Sequence, residues 1–215
     1  MIKLYTNKQI FISINPSVTQ SAANCKQVNA TNKQMILKEV QVKKLEDYVK
    51  SIPDFPKKGV IFRDITSILE DAAGFKLACD TLQDLVKEIE YDGIAAIEAR
   101  GFIFGAPIAY NCDKPLIMIR KKGKLPRATH EEEYDLEYGS ASIEMNVDAL
   151  KPGKRVIIVD DLLATGGTLG ATIRLVEKAG ASVVGVLVLI ELEGLNGRKN
   201  IGDYDIYSAI TYSGK

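Results

Sequence analysis

Histidine occurs once in this chain, at His130, and cysteine only at Cys25, Cys79 and Cys112. That scarcity argues against a zinc cluster and against a Ser-His-Asp triad. The three thiols are odd in number and form no C-x-x-C pair, the usage of reduced cysteines in a cytoplasmic protein. No apolar run approaches the ~20 residues that a bilayer span requires. Neither sign of charge is in excess: 28 basic residues balance 28 acidic ones, so no global field draws the chain to nucleic acid or a membrane. The common nucleotide signatures G-x-G-x-x-G and G-K-[ST] are missing too. Chemistry must rest on carboxylates, basic side chains and backbone amides.

What is present is an ordinary globular composition, 46% hydrophobic and 26% charged over 215 residues, which suits one domain with an appended segment. Residues 1–39 differ from the rest. They are rich in Asn and Gln, and no Asp or Glu precedes Glu39. Their one apolar cluster, Ile10–Ile14, is too short for a signal-peptide core. The segment reads as a weakly ordered extension, or as upstream sequence ahead of a start near Met35, with the domain proper at residues 40–215.

From Val40 the pattern is regular. Val42, Leu45, Val49 and Ile52 are spaced for one face of a short helix ending at Pro53, and Asp71–Tyr91 predicts an amphipathic helix. Short β-branched runs at Gly93–Ala99, Pro115–Ile119, Val156–Val159 and Ser182–Leu189 alternate with helical stretches at Phe102–Asn111 and Thr168–Ala179. The implied fold is α/β, a mainly parallel sheet with helices on both faces.

The strongest chemical signal is Val156-Ile157-Ile158-Val159-Asp160-Asp161-Leu162-Leu163-Ala164-Thr165-Gly166-Gly167-Thr168. A buried strand ends in two carboxylates, then small and hydroxyl residues lead into a helix. Ligands in open α/β sheets sit at such strand ends. The turn Ala164–Thr168 presents successive amides to a phosphate, helped by the helix dipole. Carboxylates beside a phosphate repel it unless they accept hydrogen bonds, and Asp160 and Asp161 fit the vicinal hydroxyls of a ribose. Three other segments stand out. Arg100, after the strand-end pair Glu98-Ala99, is placed either to meet an anion or to pair with a surface acid. Arg120–Lys124 is a basic run whose default reading is a solvated face. The polar stretch Arg127–Glu137 shows no clear periodicity and reads as a long loop.

The Val156–Thr168 string resembles the phosphoribosyl pyrophosphate motif of the type I phosphoribosyltransferases. Pro53-Asp54-Phe55-Pro56 with Gly59–Ile65 resembles the amino-terminal signature of the adenine phosphoribosyltransferases. The resemblance runs from about Leu45 to Tyr212 and implies a small N-terminal hood and a mobile lid loop. It also implies transfer of a 5-phosphoribosyl group from phosphoribosyl pyrophosphate to adenine, giving AMP and pyrophosphate in purine salvage. By the same resemblance, Ile61, Phe62, Arg63 and Leu162 hold adenine, with backbone groups around Ile61 and Arg63 reading its edge. Arg100 and Lys124 bind pyrophosphate, and Glu137 and Tyr138 close over the reaction centre. The implied cofactor is Mg²⁺, held mainly by substrate, and the implied assembly is a homodimer. A cis peptide bond between Glu98 and Ala99 is expected on the same ground, although most members carry Asp-Ser there. A transferase for a 6-oxopurine or pyrimidine, or a transcriptional regulator, would share the phosphate loop. The regulator would need a DNA-binding module or an exposed basic face, and neither is evident.

Overall fold

The computed structural model describes residues 43–136 and 139–214. In chain order these form β1 (Lys50–Pro53), β2 (Ile61–Asp64), α1 (Thr66–Leu69), α2 (Ala72–Leu85), β3 (Gly93–Ile97), α3 (Arg100–Asn111), β4 (Leu116–Lys121), β5 (Thr129–Leu136), β6 (Gly139–Asn146), β7 (Arg155–Leu163), α4 (Gly167–Lys178), β8 (Ser182–Leu192), α5 (Gly197–Ile201) and β9 (Ile206–Tyr212). Single 3-10 turns occupy Leu45–Tyr48 and Glu193–Leu195.

Strands order as β5-β6-β4-β3-β7-β8-β9 in a seven-stranded sheet, and β1-β2 form a separate antiparallel ribbon. The five strands from β4 to β9 pair in parallel, while β6 runs antiparallel to both β4 and β5. Alternation along the central strands explains the layers. Ala95, Ile97, Val156, Ile158, Val186 and Val188 pack with Leu169, Ile173 and Val176 of α4 on one face. Ile94, Ile157, Val159, Leu187 and Leu189 pack with Leu82 of α2 and Phe104 and Ile108 of α3 on the other. Both faces are dry, so the central strands read as continuous apolar runs. None of the described helices is long and apolar enough to cross a membrane.

Several sequence expectations need correction. Leu45–Ile52 is a 3-10 turn followed by β1, not a helix. Only Leu45 among these residues is buried, and the ladder from Lys50↔Asp64 to Pro53↔Ile61 decides the local geometry. Helix α2 begins as expected, with the Asp71 carboxylate accepting the amides of Ala73 and Gly74, but it stops at Leu85. The following turn still buries Val86 and Tyr91, so the apolar spacing outlasts the helix. Strand β7 runs on through both aspartates to Leu163. The polar stretch after Arg127 is a β-hairpin, β5-β6, rather than an irregular loop. Its alternation is hidden because polar groups serve both faces: Glu132 meets Arg174 and Lys178 of α4, while Glu131 and Glu133 are exposed. Sequence reading gave no sign of β9 or α5. The extension at residues 1–39, together with Cys25 and Val42, lies outside the described residues.

Candidate active site

Strands β4, β3 and β7 are parallel neighbours, so the segments leaving their carboxyl ends converge at one edge of the sheet. The segments after β4 and β3 carry Lys124 and Arg100, and the aspartate pair lies near the carboxyl end of β7 itself. The Glu98–Ala99 peptide bond that joins β3 to α3 is cis, as expected. Helix α3 enters directly against β7, since a Cβ on Gly101 would stand 2.6 Å from the Val159 carbonyl oxygen and 3.1 Å from the Asp160 Cα. That close approach places Arg100 beside the acids, with Nε 2.7 Å from Asp161 Oδ2.

The two aspartates have different surroundings. Asp161 is buried and paired with Arg100. Asp160 accepts the Asp161 amide on Oδ1 at 2.8 Å. Burial pushes the Asp160 carboxyl well above the usual carboxylate range, the charge of Asp161 pushes it the same way, and Arg100 opposes. Beyond Leu163 the chain turns at Gly166, whose φ of +84° a side chain would disfavour. The backbone bonding of α4 starts with Gly170 N–H on Gly166 O at 2.8 Å, leaving the earlier amides of the turn for a ligand. A cavity of 80 Å³ sits there, lined by Asp160, Leu162 and Ala164–Leu169.

Lys124 lies in an exposed turn whose backbone is fixed by two carboxylates. Glu144, buried on β6, accepts the amides of Lys124 at 2.8 Å and Leu125 at 2.7 Å. Burial raises the Glu144 carboxyl, but the amides of Leu125, Gly123 and Lys124 outweigh it and hold the group below its ordinary value. Glu98 grips Arg120 through Nε at 3.1 Å and Nη2 at 3.2 Å, and Arg120 Nη1 donates to the Lys124 carbonyl at 3.0 Å. Burial likewise raises Glu98, and Arg120 with the Lys121 amide brings it below its ordinary value. Of the described basic run, Arg120 is thus a structural anchor, while the Lys124 ammonium makes no ion pair among the described residues.

The adenine candidates divide between two places. Ile61, Phe62 and Arg63 lie on β2, where Phe62 meets Phe55 edge to face at 5.2 Å and the Arg63 guanidinium stacks 3.8 Å above the Tyr212 ring. Leu162 and Tyr212 both pack against the core cluster that contains Ile65, just after β2. Tyr212 escaped sequence reading, since a lone aromatic near the chain end carries no motif. Glu144, and the residues of α5 against the phosphate loop, escaped for the same reason. Glu137 and Tyr138 lie outside the described residues. His130 sits in β5 opposite Met145.

A sequence profile of the phosphoribosyl transferase domain matches residues 64–212. With the parallel sheet and the acid-pair loop at the end of β7, this places the chain in the phosphoribosyltransferase class. It is 55% identical over 174 residues to the adenine phosphoribosyltransferase of Lachnoclostridium phytofermentans, covering 81% of this chain and 100% of that one. The crystal structure of adenine phosphoribosyltransferase from Thermoanaerobacter pseudethanolicus superposes with a TM-score of 0.76 at 48% identity, covering 78% of this chain and 98% of that one. The Saccharomyces cerevisiae enzyme, solved with an imino-altritol bisphosphate and adenine, gives 0.72 at 32% identity over 77% of this chain and 96% of that one. The chain belongs to the adenine phosphoribosyltransferase family.

Proposed function

We propose that the protein transfers the 5-phosphoribosyl group of phosphoribosyl pyrophosphate to adenine, releasing pyrophosphate and AMP. The observation that carries this is the meeting, at one sheet edge, of an amide-lined turn, a carboxylate pair and two cationic segments. The turn Ala164–Thr168 holds the 5-phosphate through backbone N–H groups and the Thr165 and Thr168 hydroxyls. Asp160 and Asp161 accept from the ribose hydroxyls. Arg100 and Lys124 neutralise pyrophosphate as it leaves, which is where charge develops.

Adenine rests against Phe62 and Leu162, with backbone groups of Ile61 and Arg63 reading its edge. As its imidazole nitrogen bonds to the anomeric carbon and the bond to pyrophosphate breaks, positive charge builds on the sugar. Positioning and exclusion of water then govern the rate. Glu137 takes up the proton or balances charge on the purine, and Tyr138 closes beside it.

Among the described residues no group of three or more His, Cys, Asp or Glu could cage a metal. Mg²⁺ would be held mainly by substrate oxygens and water, as this ion prefers. When bound it neutralises pyrophosphate oxygens. A homodimer would cover some of the exposed apolar side chains, among them Leu116 at 36%, Met118 at 40% and Tyr110 at 88% exposed. The free thiols Cys79 and Cys112 suit the cytoplasm.

Deletion of residues 1–39 is expected to leave turnover and melting temperature nearly unchanged, and a truncated protein that precipitates or loses most turnover would show otherwise. Incubation of the purified protein with phosphoribosyl pyrophosphate, Mg²⁺ and each free base in turn tests the activity itself. AMP and pyrophosphate from adenine are the expected products. Turnover of another base with none of adenine overturns the reading.

A further inference from the structure

The phosphate loop has an outer side as well as the inner side facing its cavity, and α5 leans on the outer one. Asn200 Nδ2 donates to the Thr165 carbonyl oxygen at 2.7 Å. The backbone of α5 is equally close: a Cβ on Gly197 would collide with the Ala164 carbonyl oxygen, and one on Gly166 would stand 2.6 Å from the Gly197 carbonyl oxygen. Helix α5 is itself held from behind. Arg198 forks onto Glu191 of β8, with Nε to Oε1 and Nη2 to Oε2 both at 2.6 Å, and Ser208 of β9 donates to the same carboxylate at 3.0 Å.

Peptide geometry turns these outer contacts into an inner effect. In a planar trans peptide the C=O and N–H point in opposite directions. The Thr165–Gly166 and Ala164–Thr165 bonds are not among the cis peptides of the structure. A Thr165 carbonyl drawn outward by Asn200 therefore aims the Gly166 N–H inward. An Ala164 carbonyl packed on Gly197 does the same for the Thr165 N–H. The inward side is the 80 Å³ cavity that Ala164–Leu169 line with Asp160 and Leu162, whereas Asn200 lines a separate 680 Å³ cleft with Thr165–Gly167 and Arg174. Glycine at position 166 makes the loop easy to build, and it equally leaves the peptide plane free to rotate unless something fixes it.

We infer that Asn200 is a positioning residue for the phosphate loop: its side-chain amide fixes the peptide planes whose N–H groups receive the phosphate of phosphoribosyl pyrophosphate. The inference rests on the ribose-phosphate reading above, and Asn200 itself touches no substrate. Its contribution is that of one neutral hydrogen bond acting through preorganisation.

Three variants test it by titration with phosphoribosyl pyrophosphate and by steady-state kinetics. Asn200→Ala raises the Kd and KM for phosphoribosyl pyrophosphate by ~3–10-fold, the worth of one such bond. The KM for adenine and kcat stay within about twofold, because the loop does not meet the base. Asn200→Asp is worse than Asn200→Ala, since its carboxylate faces the Thr165 carbonyl and lies near the phosphate. Asn200→Gln keeps a donor and restores most of the affinity. Unaltered affinity in Asn200→Ala, with normal binding by the wild type, overturns the inference alone. Equal losses in all three variants, accompanied by a fall in melting temperature, overturn it in favour of a purely structural role. A wild-type protein that fails to bind phosphoribosyl pyrophosphate overturns the site reading, and this inference with it.

Discussion

Arg100 Nε lies 2.7 Å from Asp161 Oδ2, setting a half-exposed guanidinium on a carboxylate that is only 4% exposed. Sequence reasoning assigns the two residues to opposite ends of the substrate, the arginine to pyrophosphate and the aspartate to ribose. The ion pair joins those ends. Arginine carries further donors in a fixed fork, so its exposed side remains able to meet an anion while Nε stays on Asp161.

The pair bears on Asp160. Burial and the Asp161 charge raise its carboxyl, and the Arg100 cation opposes them. Arg100→Gln therefore moves Asp160 further upward. An aspartate accepts ribose hydroxyls best when ionised, so the acid limb of the kcat/KM profile for phosphoribosyl pyrophosphate should shift to higher pH in this variant. The folding sign follows from linkage. A carboxyl raised in the folded state contributes stability that is complete below its unfolded value, about 3.9, and is lost as pH rises through the folded value. Melts of Asp160→Asn from pH 4 to 8 should accordingly gain on the wild type as pH rises. An acid limb unmoved in Arg100→Gln would refute the coupling.

Glu144→Gln tests the Lys124 turn. The buried carboxylate serves two amides, at 2.8 and 2.7 Å, through a single oxygen. A carboxamide keeps the oxygen that accepts both amides but loses the charge and sets an NH₂ where Oε2 meets the Thr129 hydroxyl at 3.4 Å, at a cost of about 1–3 kcal/mol. The KM for phosphoribosyl pyrophosphate should rise while that for adenine holds, if the turn aims Lys124 at pyrophosphate. Equal rises in both would show general damage.

Arg198→Met should leave Glu191, 3% exposed, with only the Ser208 hydroxyl as a side-chain partner. Arg198 is half exposed, so water screens part of the loss, and removing its two hydrogen bonds costs about 1–3 kcal/mol. The hydrogen bonds from Arg198 hold the Glu191 carboxyl below its ordinary value, outweighing burial. Its contribution is present above the unfolded value, about 4.3, and is lost as pH falls through the folded one. The gap between wild type and Arg198→Met in thermal melts should thus be wide at pH 7 and narrow in acid. A gap independent of pH would place the effect in packing of the arginine stem.

The legibility of these features in the sequence follows their range. Val156–Thr168 could be read because strand, acids and turn are contiguous, and Ile94, Ile157 and Leu187 announce their burial by composition alone. Glu144 looks like any strand glutamate until β6 is laid beside the Lys124 turn, 20 residues away in sequence. Asn200 lies 35 residues from the carbonyl it holds. The β5-β6 hairpin was hidden because its inward contacts are ionic, Glu132 to Arg174 and Lys178, where hydrophobic alternation is the usual signal. Strand β9 is not legible from composition because Tyr207 and Ser208 interrupt its apolar run, and its place at the sheet edge comes from the register with β8.

The segment proposed to bind the base gives the sharpest test of specificity. On β2 the Arg63 side chain is already stacked on Tyr212, and Phe62 is braced against Phe55, so neither is free to follow the edge of a different base. Ile61 and Arg63 are two residues apart, and their backbone groups project from the same edge of the strand. A backbone edge offers a donor and an acceptor in fixed places. Adenine answers both with a ring nitrogen and an amino group. Hypoxanthine carries a ring N–H where adenine has an acceptor and an oxygen where adenine has a donor, so both contacts are reversed and a buried amide is left unpaired. Mismatches of that kind discriminate by ~10⁴-fold or more. Measured kcat/KM for adenine should exceed that for hypoxanthine by such a factor, and Phe62→Leu should lower the adenine value while leaving the ratio high, because stacking does not distinguish the two bases. Comparable values for the two bases in the wild type would mean that backbone groups of β2 do not read the edge.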